Sequence, residues 1–300
     1  MRGPALRDPY ADSPPSCADL RQSSDVGSRL LILEAGRAER NYWKDLWTYR
    51  ELFAILGWRD LAVRYKQTVI GVGWAVIRPL LTMLVFTIVF GRVAHLPSEG
   101  SAPYPLMVFA GQLGWFLFST ILSEAANSLV GNVNLIGKVY FPRLIVPVAT
   151  TFVSLVDLAI SLVLFLLLAV WLRSWPDWQI LFLPAFVVLG VLTALGPALL
   201  MAAMNVKYRD FRHVIPFILQ FGMYISPVGF SSSIVPAKWR LLYSINPVVA
   251  VIDGFRWCLL GGGAKVYVPG FSLGLVVIVL SLWLGITYFR NTERTFADLI

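Results

Sequence analysis

The side chains able to do acid–base or nucleophilic chemistry in this 300-residue chain are few and scattered. Glu124, Asp157 and Asp253 are the carboxylates set among apolar residues, and no two share a spacing that opposes a proton donor to an acceptor. His95 and His213 stand apart from each other and from Cys17 and Cys258, so no metal-ligand spacing arises. Neither G-x-S-x-G nor H-E-x-x-H occurs. The nearest approach to a phosphate loop, residues 131–138, has one residue too many between Gly131 and Gly137, and Val139 stands where Ser or Thr should follow Lys138. The chain is expected to be no enzyme, with no bound nucleotide, cofactor or metal.

What surrounds these residues is apolar. Hydrophobic residues make up 57% of the chain and charged residues 14%, and the mean hydropathy is +0.70, outside the range of water-soluble domains. Lys and Arg give a net charge of +8, but they gather in the first 80 residues and in short links between apolar runs. That is a topology signal, and it excludes a nucleic-acid-binding surface.

Residues 1–36 carry Pro4, Pro9, Pro14 and Pro15 among Ser, Asp and Arg and are expected to form a disordered tail. The short apolar patch 30–33 is too brief for a signal peptide. Residues 37–72 form an interfacial segment, in which 43–67 reads as an amphipathic helix with Leu52, Leu56 and Val63 on one stripe. Arg59 borders that stripe, so a short soluble helix packed on the bundle is the alternative. Six transmembrane helices are then expected within 73–300, at 73–94, 104–130, 143–171, 179–205, 213–233 and 271–289, where ~20 residues suffice to cross a bilayer. Between the fifth and sixth, Pro236, Pro247, Asp253 and Arg256 break the apolar pattern into short re-entrant or interfacial helices on the outer side. The fold class is an all-α polytopic membrane protein.

Basic residues at the span ends place Lys138, Arg143, Lys207, Arg209, Arg212, Arg290 and Arg294 on one side with the N-terminal segment, which the positive-inside rule assigns to the cytoplasm together with both termini. Trp171, Trp175 and Trp178 then anchor the outer interface. Cys17 and Cys258 fall on opposite sides and are not expected to pair. Asp157, in the middle of the third span, needs a partner, because an unpaired charge there costs about 2.5–3.5 kcal/mol; a helix-packing contact is favoured over a proton relay. Arg78 could snorkel or pair within the bundle. Asp253 and Arg256, at i and i+3, could pair on their own helix.

Several pieces recur in the order of a known family: Arg59-Asp60, Arg64-Tyr65-Lys66 and Trp74 leading to Arg78-Pro79; Gly111, Trp115 and Phe116; Leu135, Lys138 and Phe141-Pro142; Lys207-Tyr208-Arg209-Asp210; Tyr224 and Ser226-Pro227; Asn246-Pro247; Asp253-Gly254-Phe255-Arg256; Phe296 and Asp298. Over most of residues 42–300 the sequence resembles the permease subunits of ATP-binding-cassette exporters for surface polysaccharides, of the O-antigen and teichoic acid type. The resemblance implies a homodimer in the bacterial inner membrane, served by two copies of a cytoplasmic ATPase that holds ATP and Mg, and moving a lipid-linked glycan. It implies contacts to that ATPase from the interfacial helix (Arg59, Arg64, Lys66) and from the loop after the second span (Asn134, Lys138, Tyr140, Phe141, Arg143). Trp74, Phe86 and Phe90, with Phe217, Phe221 and Tyr224, are candidates for aromatic platforms along a glycan path, against ordinary packing or lipid-facing aromatics. Asn246, Asp253 and Arg256 would belong to an outer gate. The rival readings are a drug or small-molecule exporter of the same architecture, a glycan-processing membrane enzyme and a proton-driven transporter; scattered carboxylates and the lack of a relay weigh against the last two.

Overall fold

The computed structural model describes residues 42–66, 69–100, 102–138, 141–208, 210–261, 264, 266–293 and 296. The tail 1–36, Cys17, Tyr140, Arg209, Arg294 and Asp298, all named above, lie outside the described residues. The chain divides into two units at residue 42, and the fold set out below is that of Trp43–Ile300.

All regular structure among the described residues is helical. In chain order it comprises α1 (Tyr42–Thr48), α2 (Arg50–Lys66), α3 (Val69–Phe86, extended by a π-helical stretch Thr87–Val93), α4 (Tyr104–Gly131), α5 (Val133–Ile136), α6 (Ile145–Ala149), α7 (Thr151–Trp171), α8 (Leu183–Lys207, preceded by a 3-10 turn Trp178–Phe182), α9 (Phe211–Ile225), α10 (Ala237–Tyr243), α11 (Pro247–Leu260) and α12 (Val268–Glu293). Among the described residues five stretches are long and apolar enough to cross a membrane: Gly73–Val93, Tyr104–Gly131, Ile145–Trp171, Trp178–Lys207 and Val268–Glu293.

The helix ends follow from local chemistry. Pro103 and Pro105 open α4, where an N–H is not needed. Asn246 caps α11 by accepting from the Val248 N–H at 3.1 Å, with Pro247 as the first helical residue. The expected fifth span, 213–233, departs from the pattern. Ser226 precedes Pro227 and is extended (φ −80°, ψ 150°), so α9 stops at 15 residues, about 22 Å at 1.5 Å per residue. That is short of the ~30 Å hydrocarbon layer.

At the centre stands α4. Over its most apolar window 78% of positions are buried, against 11–33% in the other four crossing stretches. Small residues allow this. Gly111 lies beneath the Arg256 side chain, Gly114 against Ile252, and Ala125 and Ala126 are fully buried. In a bilayer such close approach gives dispersion contact that water exclusion cannot supply. Helices α8 and α12 meet through two glycines: a Cβ placed on Gly285 would sit 2.2 Å from the carbonyl oxygen of Gly196.

The amphipathic stripe expected over 43–67 is realised in part. Residues 42–66 form two helices parted at Tyr49, Leu56 is buried, and Gly57 packs on Phe152 of α7, but Val63 is 61% exposed. The helix docks on α6 and α7 through its Leu56–Gly57 patch.

Candidate functional site

Three groups of residues stand out, two at the end of the bundle bearing α2 and α5 and one at the opposite end.

At the first end, α2 is tied to the bundle by its basic residues. Arg59 pairs with its neighbour Asp60 at 2.7 Å and donates to the Asn132 side chain, also at 2.7 Å, at the end of α4. One turn and a half further on, Arg64 meets Asp157 of α7 at 2.9 Å and Glu124 of α4 at 3.5 Å. The Tyr65 hydroxyl also donates to Asp157. Burial, followed by the hydrogen bond to that carboxylate, pushes the Tyr65 phenol above its ordinary range, so it stays protonated and remains a donor. Asp157 therefore has a cation and a hydroxyl from α2, which is the packing contact expected of it. Lys66 is exposed at the helix end.

The loop after α4 separates its residues. Asn134 and Lys138 are exposed, whereas Phe141 is buried. Arg143 is held by the last turn of α12. Its backbone N–H donates to the Glu293 carboxylate at 2.7 Å, its guanidinium donates to the Glu293 carbonyl, and it lies 5.9 Å from the centre of the Phe296 ring. Glu293 gave no sign of this role in the sequence, being one acid in a polar tail.

The aromatic candidates also divide. Phe86 is buried and stacks on Phe90 with centroids 5.4 Å apart, so both serve packing between α3 and the start of α4. Phe217, Phe221 and Tyr224 lie on one side of α9 and are each more than half exposed, with Phe217 and Phe221 in contact at 4.4 Å between centroids. Trp74 is likewise 58% exposed on α3. Gly222, on the other side of α9, receives the Trp115 ring.

At the opposite end the guanidinium of Arg256 is fully buried. It donates to the carbonyls of Met107 (3.3 Å), Val228 (3.1 Å) and Phe230 (3.0 Å) and pairs with Glu99 at 3.2 Å. The Tyr104 hydroxyl takes the carbonyl between them, that of Gly229, at 2.5 Å, and Ser231 donates to Glu99. Residues 228–230 are not helical, and these side chains supply the partners that a helix would have supplied. The pairing of Asp253 with Arg256 expected on α11 does not form. Arg256 turns away from its own helix toward Glu99 and α4, and Oδ1 of Asp253 is buried without a hydrogen bond. Asn246 holds Ser226 through its amide at 3.0 Å, joining the same corner.

Two residues missed in the sequence complete the picture. Gln112 is fully buried in α4; with its amide turned to suit, it donates to the Pro79 carbonyl (3.1 Å) and accepts from the Met83 N–H (2.9 Å) of α3. Asn205 of α8 donates to the Ala126 carbonyl of α4 at 3.1 Å. An uncharged amide in an otherwise apolar run was the available signal for both.

Compared with known proteins, the chain matches the ABC-2 type transporter family over residues 51–260. It is 27% identical over 259 residues to the O-antigen export system permease protein RfbA of Myxococcus xanthus, covering 86% of this chain and 98% of that protein. A relative from Klebsiella pneumoniae with the same description is 22% identical over 258 residues, covering 83% of this chain and 95% of that protein.

Proposed function

The chain belongs to the ABC-2 type transporter family, and from that premise we propose that it is the membrane-spanning permease of an ATP-driven exporter carrying a lipid-linked polysaccharide of the O-antigen or teichoic acid kind. The observation that carries the reading is the nearly end-to-end alignment with permeases of O-antigen export. ATP and Mg belong to a separate cytoplasmic ATPase, two copies of which serve two copies of this chain in the bacterial inner membrane, with both termini in the cytoplasm. The short helix α9, with the buried turn after it, makes the fifth of six crossings, and α10 and α11 re-enter from the outer side.

On this reading α2 and the exposed α5 loop receive the ATPase. Arg59 and Arg64 join α2 to α4 and α7, so a push on α2 reaches the spans directly. Lys66, Asn134 and Lys138 lie exposed for the ATPase itself. The exposed aromatic faces of α3 and α9 line the path, where ring faces can stack on sugars without placing fixed charge in the bilayer. The corner built by Asn246, Asp253 and Arg256 closes its outer end.

The test is a mild-detergent pull-down of the tagged chain from its native membrane, with identification of partners and an ATPase assay. One ATPase chain recovered per permease chain, together with intracellular glycan accumulating on deletion, is the expected result. The chain recovered alone, with no nucleotide-dependent activity, overturns the reading, and accumulation of a drug instead of glycan redirects it to a small-molecule exporter.

A further inference from the structure

A cleft of roughly 230 Å³ lies between α2, α3, α4 and α7, and among its lining residues are Trp74, Arg78, Phe116, Ser154 and Asp157. Phe116 is about 18 Å along the roughly 42 Å length of α4, so the cleft reaches the middle of a crossing helix. A charged side chain at that depth is costly unless something answers it.

The charges in the cleft do not balance. Asp157 is already engaged by Arg64 and Tyr65. Arg78 is exposed, and its guanidinium lies 5.4 Å from the centre of the Phe116 ring; no acid pairs with it among the described residues. Ser154 independently points to a ligand. It lines the cleft, is 1% exposed, and its hydroxyl has no hydrogen-bond partner. The other walls include Ala75, Leu113, Leu117 and Leu158, which suit a hydrocarbon chain. Arg78 and Ser154 line the same cleft as these apolar side chains, and a guanidinium fork, a free hydroxyl and apolar walls together match an anion with several acceptor oxygens borne on a lipid.

We propose that this cleft binds the phosphate group of a membrane amphiphile, with Arg78 and Ser154 as its donors and the chain laid along Trp74 and the leucines. Two sources share that chemistry, a phospholipid and the lipid carrier of the exported glycan. The second rests on the export reading and the first does not.

The experiment is native mass spectrometry of the full permease purified with its co-purifying ATPase. The probes are dioleoylphosphatidylglycerol, a polyprenyl monophosphate, dioleoylglycerol and inorganic phosphate. The wild type should retain a phosphate lipid at least about tenfold better than dioleoylglycerol, which lacks the charge-assisted hydrogen bonds, or inorganic phosphate, which lacks the buried chain. Whichever phosphate lipid is retained better identifies the source. Arg78→Gln should lower retention about tenfold or more, and Arg78→Lys should restore part of it. Ser154→Leu, which fills the slot and leaves every charge in place, should also lower it, and Arg92→Gln should not. Unchanged retention in Arg78→Gln, or equal retention of dioleoylglycerol or inorganic phosphate, overturns the proposal. If Arg78→Gln does not yield a monodisperse complex, wild-type selectivity and Ser154→Leu decide. Whether ATPase co-purifies is read from the same sample, so failure of the export reading is scored separately.

Discussion

Arg256 and Glu99, 157 residues apart, form an ion pair at 3.2 Å in which the guanidinium has no exposure at all. The same guanidinium donates to three carbonyls, so its loss takes a donor from each of them and leaves Glu99 with Ser231 alone. Truncating one member of a buried pair costs about 3–5 kcal/mol. Arg256→Ala should therefore sharply lower the thermal stability of the detergent-solubilised protein. Glu99→Gln keeps an acceptor for Arg256 and Ser231 and should cost less, about 1–2 kcal/mol. Equal melting temperatures for wild type and Arg256→Ala would contradict the arrangement.

Gly196 and Gly285 let two crossing helices touch backbone to backbone. The atom that Gly285→Val adds meets rigid backbone and cannot be relieved by a side-chain rotation. Overpacking of this kind costs about 1–3 kcal/mol or more. Lower yield and a lower melting temperature are expected for Gly285→Val, with Gly131→Ala, where a Cβ meets nothing within 4 Å, as the neutral control.

A double-mutant cycle on Arg64→Leu and Asp157→Leu should give a favourable coupling of order 1 kcal/mol, reduced from the buried-pair value because Arg64 is more than a third exposed. Transport should fall further than stability if α2 relays the ATPase stroke through this contact. Additive effects on both quantities would remove α2–α7 from the relay.

Lys138 and Arg143 stand five positions apart with the same charge in different surroundings, the first exposed and the second held by Glu293. Lys138→Glu should leave the fold intact and weaken ATPase co-purification. Arg143→Ala should loosen the last turn of α12, seen as faster proteolysis there, because it removes the guanidinium bond to the Glu293 carbonyl and the contact with the Phe296 ring, while the backbone bond to the Glu293 carboxylate stays.

Changing Phe217, Phe221 and Tyr224 together to Ser should barely move stability, since each is more than half exposed, but should lower glycan export measured as surface polymer. Phe86→Ser should do the opposite, because Phe86 is buried against Met107 and Val108.

Much of this architecture is legible in the chain because it rests on local signals. Pro103 and Pro105 start α4, Asn246-Pro247 starts α11, and runs of apolar residues set four of the crossing stretches close to their expected limits. The requirement that Asp157 find a partner could also be read, since charge in hydrocarbon is costly. The identity of that partner could not, because Arg64 and Asp157 lie on helices with no shared period. The same holds for Glu99 with Arg256 and for Arg143 with Glu293, contacts made only after the helices pack. An i, i+3 spacing suggested Asp253 for Arg256, but four acceptors converging from other elements outweighed one local carboxylate.

The central position of α4 bears on how the protein is made. It is the least apolar of the five crossing stretches and the most enclosed, and its wrapping by α8 and α11 is encoded downstream of it. During synthesis α4 must wait beside the insertion machinery without the cover of those later helices, Gln112 alone being met from the start by α3. Nascent chains halted before residue 183 should therefore be the ones that membrane quality control removes.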